Sequence, residues 1–310
     1  MTTPQENQPL NQRAKRTIID FHQHPDWCGY DFTKTVGNMD QYGIEQALLL
    51  SWEAPQDDYS PVYLPALASC LGSEDGPVSF ERCLAYKERA PERFLLGYAP
   101  DPRRPHALDR LQAAIDLYDV RVCGEFKLRM MYDNPDAIEL FRFCGERGLP
   151  VILHMDYLHQ ALSSELRPTY DKRYYWYGGG IEALERVLQL CPGTLFLGHA
   201  SGFWSHISGD NRYDKELYPC GSVQPGGRVP DLLRQYTNLS CDLSADSGCN
   251  ALRRDKTFAG AFLIEFQDRV CYGRDRFDNV HQELLNALDL PADVLGRIYS
   301  GNARKLLSHE

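Results

Sequence analysis

Eight short apolar runs alternate with stretches of helical period along this chain, and that alternation limits its fold more than any other feature. The strand-like runs fall near residues 17–24, 44–51, 93–98, 120–127, 150–154, 194–199, 237–243 and 269–275. Between them lie amphipathic stretches at 80–90, 106–118, 135–147, 181–190, 229–236 and 251–266, and residues 283–288 and 292–307 close the chain. Strand–helix–strand repeats with right-handed crossovers build a parallel sheet. Eight such repeats are the count of a closed (β/α)8 TIM barrel, the expected fold. An open doubly wound sheet is the alternative, but no Gly-x-Gly-x-x-Gly follows the first run. Helix punctuation agrees: Pro135-Asp136 suits a first turn, and Gly148-Leu149-Pro150 and Cys191-Pro192-Gly193 each stop a helix before a strand.

Residues 1–16, rich in Thr, Gln, Asn and Pro, read as a flexible tail, which leaves 17–310 as one barrel domain. The net charge of −10, without a basic stripe, argues against nucleic acid and against anionic membranes. No apolar run approaches the roughly 20 residues of a membrane span. The ten cysteines form no Cys-x-x-Cys; Cys123, Cys241 and Cys271 lie in strand-like runs and Cys144 and Cys191 by helices, so buried free thiols are expected. With no secretion signal at the start, the expected location is the cytoplasm.

The ends of the strand-like runs carry the chemistry. His22-Gln23-His24 closes the first, and residues two apart on a strand share a face. His154, His199 and Asp275 close the fifth, sixth and eighth. In a closed barrel all these ends meet at one mouth. His22, His24, His154 and Asp275 then offer N,N,N,O donors to a divalent ion, zinc being the expected one. Such an ion acidifies a water, and Asp275 is placed to act as general base. Read singly, a strand-end His is an ordinary satisfied polar group and Asp275 a helix cap; the joint pattern is what points to a metal. Glu125 and Lys127, with Cys123, are expected to share a face of the fourth strand. Three readings stay open there: an internal ion pair of Glu125 with Lys127 or Arg129, a Glu125 bridge to a second metal that His199 also holds, or a carboxylated Lys127 as the bridge. Between one ion and two the residues do not choose.

The set Asp20-Phe21-His22-Gln23-His24, His154, His199 and Gly273-Arg274-Asp275, closed by Ser300-Gly301-Asn302-Ala303-Arg304-Lys305-Leu306-Leu307, resembles the amidohydrolase superfamily. It resembles most the amidohydrolase-2 branch of metal-dependent hydrolases and decarboxylases. The resemblance implies a (β/α)8 barrel with one or two divalent ions, His22, His24 and His154 as ligands, and Asp275 as the last-strand carboxylate that binds metal and moves protons. It makes His199 a second-metal ligand or a group that polarises substrate. Gly124-Glu125 is similar to the strand-four glutamate of two-metal deoxyribonuclease-like members, which favours Glu125 over Lys127 as bridge. Arg274 departs from the small residue many relatives carry before this aspartate; it is expected either beside the metal or pointing outward.

Substrate signals are fewer. Lys127, Arg129 and Arg276 are candidates to hold a substrate carboxylate, with salt bridges as the plainer use of the arginines. Asp242, Ser244 and Asp246 end the seventh strand and could orient substrate or cap the next helix, and Ser247 reads as a helix cap. His159 and His206 sit in the long loops; either could be an acid–base group, but loop histidines are usually just exposed. Gly178-Gly179-Gly180 is an anion cradle or a hinge. The long connections 155–180 and 201–227, with Tyr170, Tyr174, Tyr175, Trp176 and Tyr177 in one and Phe203, Trp204, Tyr213 and Tyr218 in the other, suggest a substrate lid or a homo-oligomer contact. No Gly-x-Ser-x-Gly elbow is present, and Cys28 is incidental. The expectation is a metal-dependent hydrolase of a small carboxylate-bearing ester, lactone or amide. A non-oxidative decarboxylase is the alternative, and a binding protein on a degenerate barrel the remaining one.

Overall fold

The computed structural model describes residues 16–55, 58, 77–156 and 177–308. Apart from Arg16, the predicted tail lies outside them, as do His159, Tyr170, Tyr174, Tyr175 and Trp176. Eight strands, β1 (Ile19–Gln23), β2 (Gln46–Leu50), β3 (Phe94–Gly97), β4 (Val120–Phe126), β5 (Val151–His154), β6 (Phe196–His199), β7 (Leu239–Asp242) and β8 (Val270–Cys271), lie in sequence order in one parallel sheet. The β8–β1 seam is joined by Phe21 N–H to Tyr272 O and Asp275 N–H to His22 O, both 2.9 Å. The result is the expected (β/α)8 barrel. No helix among the described residues is long and apolar enough to cross a membrane.

Strand alternation sorts the apolar residues into two layers. Ile19, Phe21, Leu48, Leu50, Val122, Ile152, Leu197 and Cys271 fill the barrel interior, with Ala303 of the last helix packed against them. Their strand neighbours, such as Leu49, Leu96, Cys123, Leu153, Phe196 and Cys241, face the helices. Alternation breaks where the site begins. On β1 three steps (20 to 23) oppose two on β2 (47 to 49), and on β4 three steps (123 to 126) oppose two on β5 (151 to 153). Each is a one-residue bulge, which re-aims the side chains beyond it. This corrects the expected grouping of Cys123 with Glu125: Cys123 faces the helices, and Glu125, past the bulge, turns into the mouth.

The helices are α1 (Phe32–Tyr42), α2 (Phe80–Arg89), α3 (Ala107–Tyr118), α4 (Pro135–Glu146), α5 (Ile181–Leu190), α6 (Ser201–Trp204), α7 (Arg228–Gln235), α8 (Ala245–Arg253), α9 (Lys256–Glu265), α10 (Val280–Asn286), α11 (Ala292–Gly296) and α12 (Asn302–Leu307). The sequence reading lacks α1, whose Thr, Val and Gly residues carry little helical signal; Asp31 caps it by accepting from Lys34 N at 2.9 Å. The single helix expected at 251–266 is two, because the Asp255 side chain accepts from Phe258 N and starts a new one. A π turn, Arg297–Gly301, joins α11 to α12. All nine cysteines among the described residues are free, seven of them buried.

Candidate metal centre

Four histidines from β1, β5 and β6 close around the Glu125 carboxylate just above the apolar interior. Glu125 Oε1 lies 2.5 Å from His154 Nδ1, 3.5 Å from His199 Nε2 and 3.7 Å from His22 Nε2. Its Oε2 lies 3.4 Å from His24 Nε2 and 3.7 Å from Lys127 Nζ. Asp275 Oδ1 is 3.8 Å from His24 Nε2. Every one of these side chains except Asp275 is at least nine-tenths buried. The structure thus gathers all six predicted metal ligands, and Lys127, at one mouth.

Hydrogen bonds to the far side of the rings decide which nitrogen faces the centre. A carboxylate only accepts, so Asp242, at the end of β7, takes the Nδ1 protons of His22 and His199, each at 3.0 Å. The Leu50 carbonyl does the same for His24 Nδ1 at 2.8 Å. The three Nε2 atoms are left unprotonated and directed at Glu125. Ring-orienting partners of this kind are the usual support of metal-bound imidazoles. Sequence reasoning offered Asp242 only as a substrate-orienting or capping group; its link to two ring nitrogens is long-range, and nothing local announces it. Ser244 donates to Asp242 Oδ1 and holds it further.

His154 Nδ1 donates to Glu125 Oε1, but four other polar atoms that converge here are unsatisfied by the protein. His22 Nε2, His199 Nε2, Glu125 Oε2 and Asp275 Oδ1 are buried without a hydrogen-bond partner. Buried polar atoms are rarely left so, and an ion is among the few explanations. Among the described residues, three groups of donors lie within ligand reach of an ion. In one, His22, His199 and Asp242, the carboxylate already takes the ring protons; the other two are His22, His24 and Glu125, and Glu125, His154 and His199. These two share Glu125. Neutral imidazole nitrogens and carboxylate oxygens suit zinc and manganese alike. Burial opposes ionisation of Glu125, but Lys127 and His154 outweigh it and hold its carboxyl well below the usual range. Burial likewise opposes the Asp242 charge, and His199 and His22 more than reverse the effect. Both groups are therefore anionic near neutral pH.

The remaining candidates settle differently. Lys127, 3% exposed, stacks its ammonium 4.2 Å from the Trp52 ring centre. Arg276 reaches the lip but shares its guanidinium between Asp246 and Asp278. Arg129 donates its backbone N–H to Asp58 at 3.3 Å. Of the two expectations for Arg274 the outward one holds: it points away from the centre toward α1, fully buried and paired with Asp20 at 2.7 Å, a counter-charge the sequence does not single out. His206 is buried, not exposed, its ring tilted against that of Tyr213 at 4.1 Å, and burial pushes its pKa down to about 4. Phe203 and Trp204 are core residues rather than lid or contact residues; Trp204 Nε1 donates to Asp242 O. Ser247 lies inside α8, where its hydroxyl caps nothing. The three glycines 178–180 all have positive φ, and a Cβ at Gly178 would meet the Tyr132 ring at 2.9 Å, so they make a packed turn.

Beside Asp275 a cavity of about 440 Å³ opens, walled by Trp27, Cys28, Tyr30, Tyr218, Arg276 and Phe277. Burial, then the Asp275 charge, push the Cys28 thiol up, so it is no ready nucleophile.

The sequence profile of the amidohydrolase family matches residues 19–308. No curated protein sequence matches the chain. Among solved structures it is similar to an uncharacterized TIM-barrel protein from Bordetella bronchiseptica, 17% identical with a TM-score of 0.62, over 94% of this chain and 98% of that one. It is similar to a Pseudomonas putida protein named as a 2-pyrone-4,6-dicarboxylic acid hydrolase (15%, TM-score 0.59, 94% and 97% covered). It is also similar to a Polaromonas dihydroxybenzoic acid decarboxylase with bound manganese (15%, TM-score 0.57, 94% and 97% covered).

Proposed function

The chain belongs to the amidohydrolase family, and from that premise we propose that it is a metal-dependent hydrolase of a small carboxylate-bearing ester, lactone or amide. The observation that carries the reading is the set of unpartnered, buried donor atoms around Glu125. His22, His24 and Asp275 would hold one divalent ion and His154 and His199 a second, with Glu125 within reach of both sets. Zinc fits these donors, and manganese, bound in a structure of similar fold, is a second candidate. An ion so held acidifies water and polarises a carbonyl.

The chain's own residues do the rest. Asp275 stands at the lip with one oxygen unpartnered and the cavity beside it. It takes the proton of the attacking water and returns it to the leaving oxygen or nitrogen, as a general base turned acid. His199, fully buried beneath Glu125, serves as a ligand rather than as a polarising group in contact with substrate. Lys127 offers its ammonium at the mouth to the substrate carboxylate. Arg276, already shared by two carboxylates, shapes the cavity wall. Two of the similar structures are named for acids with ring-borne carboxylates, which supports this class of substrate. The apolar floor and aromatic walls keep bulk water from the reacting atoms.

The experiment is product analysis in 18O-labelled water, over a panel of carboxylate-bearing lactones and esters with 2-pyrone-4,6-dicarboxylate and 2,6-dihydroxybenzoate included. One solvent oxygen in the product acid is the expected result. Carbon dioxide release without solvent oxygen would overturn hydrolysis and make the protein a decarboxylase.

A further inference from the structure

We propose that the buried Asp20–Arg274 ion pair is a positioning device, which fixes the β8–β1 seam so that His22 and Asp275 address the same ion. The inference rests on the metal-site reading above. β8 has only two residues, and its join to β1 runs through Phe21 N–H to Tyr272 O and Asp275 N–H to His22 O. Asp275 itself has a φ of 51°, a region that non-glycine residues leave unless held. What holds it is next to it in the chain. Arg274 N donates to Asp20 Oδ1 at 2.8 Å, and its Nε donates to Asp20 Oδ2 at 2.7 Å. Asp20 Oδ1 also faces His22 N at 3.4 Å. One carboxylate thus touches the backbone of a ligand on β1 and the residue before a ligand on β8.

The far end of the arginine is fixed as well. Its Nη1 donates to Asn38 Oδ1 of α1 at 2.8 Å, and Asn38 Nδ2 donates to Phe277 O at 2.6 Å. The turn after β8 is therefore tied at both ends. Stability alone does not account for the pair. Both side chains are fully buried, and replacing a buried ion pair by apolar residues is often neutral or favourable. What such a pair does supply is a fixed direction between two strands. The second donor set, His154 and His199, stands on β5 and β6, whose register is regular through the His154–His199 pair; it needs no such clasp.

The test is a Zn²⁺ titration of the chelator-treated full chain by calorimetry, with elemental analysis. In the variant D20N/R274Q, a neutral hydrogen-bonding pair replaces the ionic one. The expected result is a 10–100-fold weaker affinity in one step, with the other unchanged within about threefold. The surviving step should match that of H24A, which removes a donor from the first set alone. Should D20N/R274Q not fold, R274K is read in the same way, because a lysine keeps the charge but not the hold on Asp20 and Asn38 together. A folded variant with both steps unchanged, or both weakened alike, overturns the proposal. Wild-type protein that takes up fewer than two ions refutes the parent reading instead.

Discussion

Asp242 carries the sharpest prediction, because one carboxylate orients a histidine from each donor set. Its Oδ2 accepts from His22 and its Oδ1 from His199, each at 3.0 Å, with Ser244 N also 3.0 Å from Oδ1. In Asp242→Asn the amide keeps one acceptor. Ser244 N and His199 both require that acceptor, so the NH2 falls opposite His22. His22 must then accept at Nδ1 and carry its proton on Nε2, the atom that should bind metal. One ligand of the two is lost. Loss of such an orienting partner typically weakens metal binding 10–100-fold, or about 1.4–2.7 kcal/mol. Asp242→Ala should cost more, since both rings lose the carboxylate: His199 Nδ1 keeps only the Ser244 hydroxyl 2.9 Å away, and the buried His22 N–H left alone costs roughly 1–3 kcal/mol. Calorimetric titration with Zn²⁺ measures this, and circular dichroism checks the fold. The reasoning is refuted if Asp242→Asn binds both ions with wild-type affinity.

Three other outcomes follow from the same structure. Burial lowers the pKa of His206 and of His281 to about 4 from the ordinary 6.5. Below pH 6.5 the unfolded chain therefore takes up protons that the fold refuses, and stability falls as pH drops from 6.5 to 4, by about 3 kcal/mol for each histidine. Urea denaturation at steps of pH should show this loss, and His281→Gln, whose amide can still donate to Ala245 O, should flatten it; an unaltered slope would count against the assignment. Chelation should remove activity and lower Tm, because an ion at 100 times its Kd stabilises the fold by about 2.7 kcal/mol; equal Tm with and without a chelator contradicts a bound metal. Gly198→Ala would set a Cβ 2.3 Å from the Phe203 ring beside His199, which should cost about 1–3 kcal/mol as well as metal affinity; a neutral result in thermal melts would show that the ring can retreat.

The barrel was legible because its signals are local. Apolar runs, Gly and Pro stops and helix caps each occupy a few consecutive residues, and the predicted strand positions needed only trimming. The candidate ligands were legible for a related reason: a parallel barrel sends every strand end to one mouth, so a histidine at a strand end is placed without knowing its distant partners. What stayed hidden is what depends on neighbours far along the chain. Asp242 orients His22 across 220 residues, and Arg274 meets Asp20 across 254. The bulge in β4 was hidden too, since perfect alternation would have turned Glu125 toward the helices with Cys123.

These hidden features share a cause. A barrel packed by perfect alternation buries apolar side chains to its top and leaves no room for six polar ones. The extra residues in β1 and β4 break the pattern one turn of the pleat above Phe21 and Val122, which swaps an apolar layer for a polar one. Such a layer in a low-dielectric setting must be fully partnered or it destabilises the fold. Asp242, the Leu50 carbonyl and the Asp20–Arg274 pair serve the outer side of that layer, and the inner atoms remain for ions. The bulges and the distant partners are thus two halves of one requirement: the first turn the candidate ligands inward, and the second occupy the outer ring nitrogens of His22, His24 and His199 so that each Nε2 faces the centre.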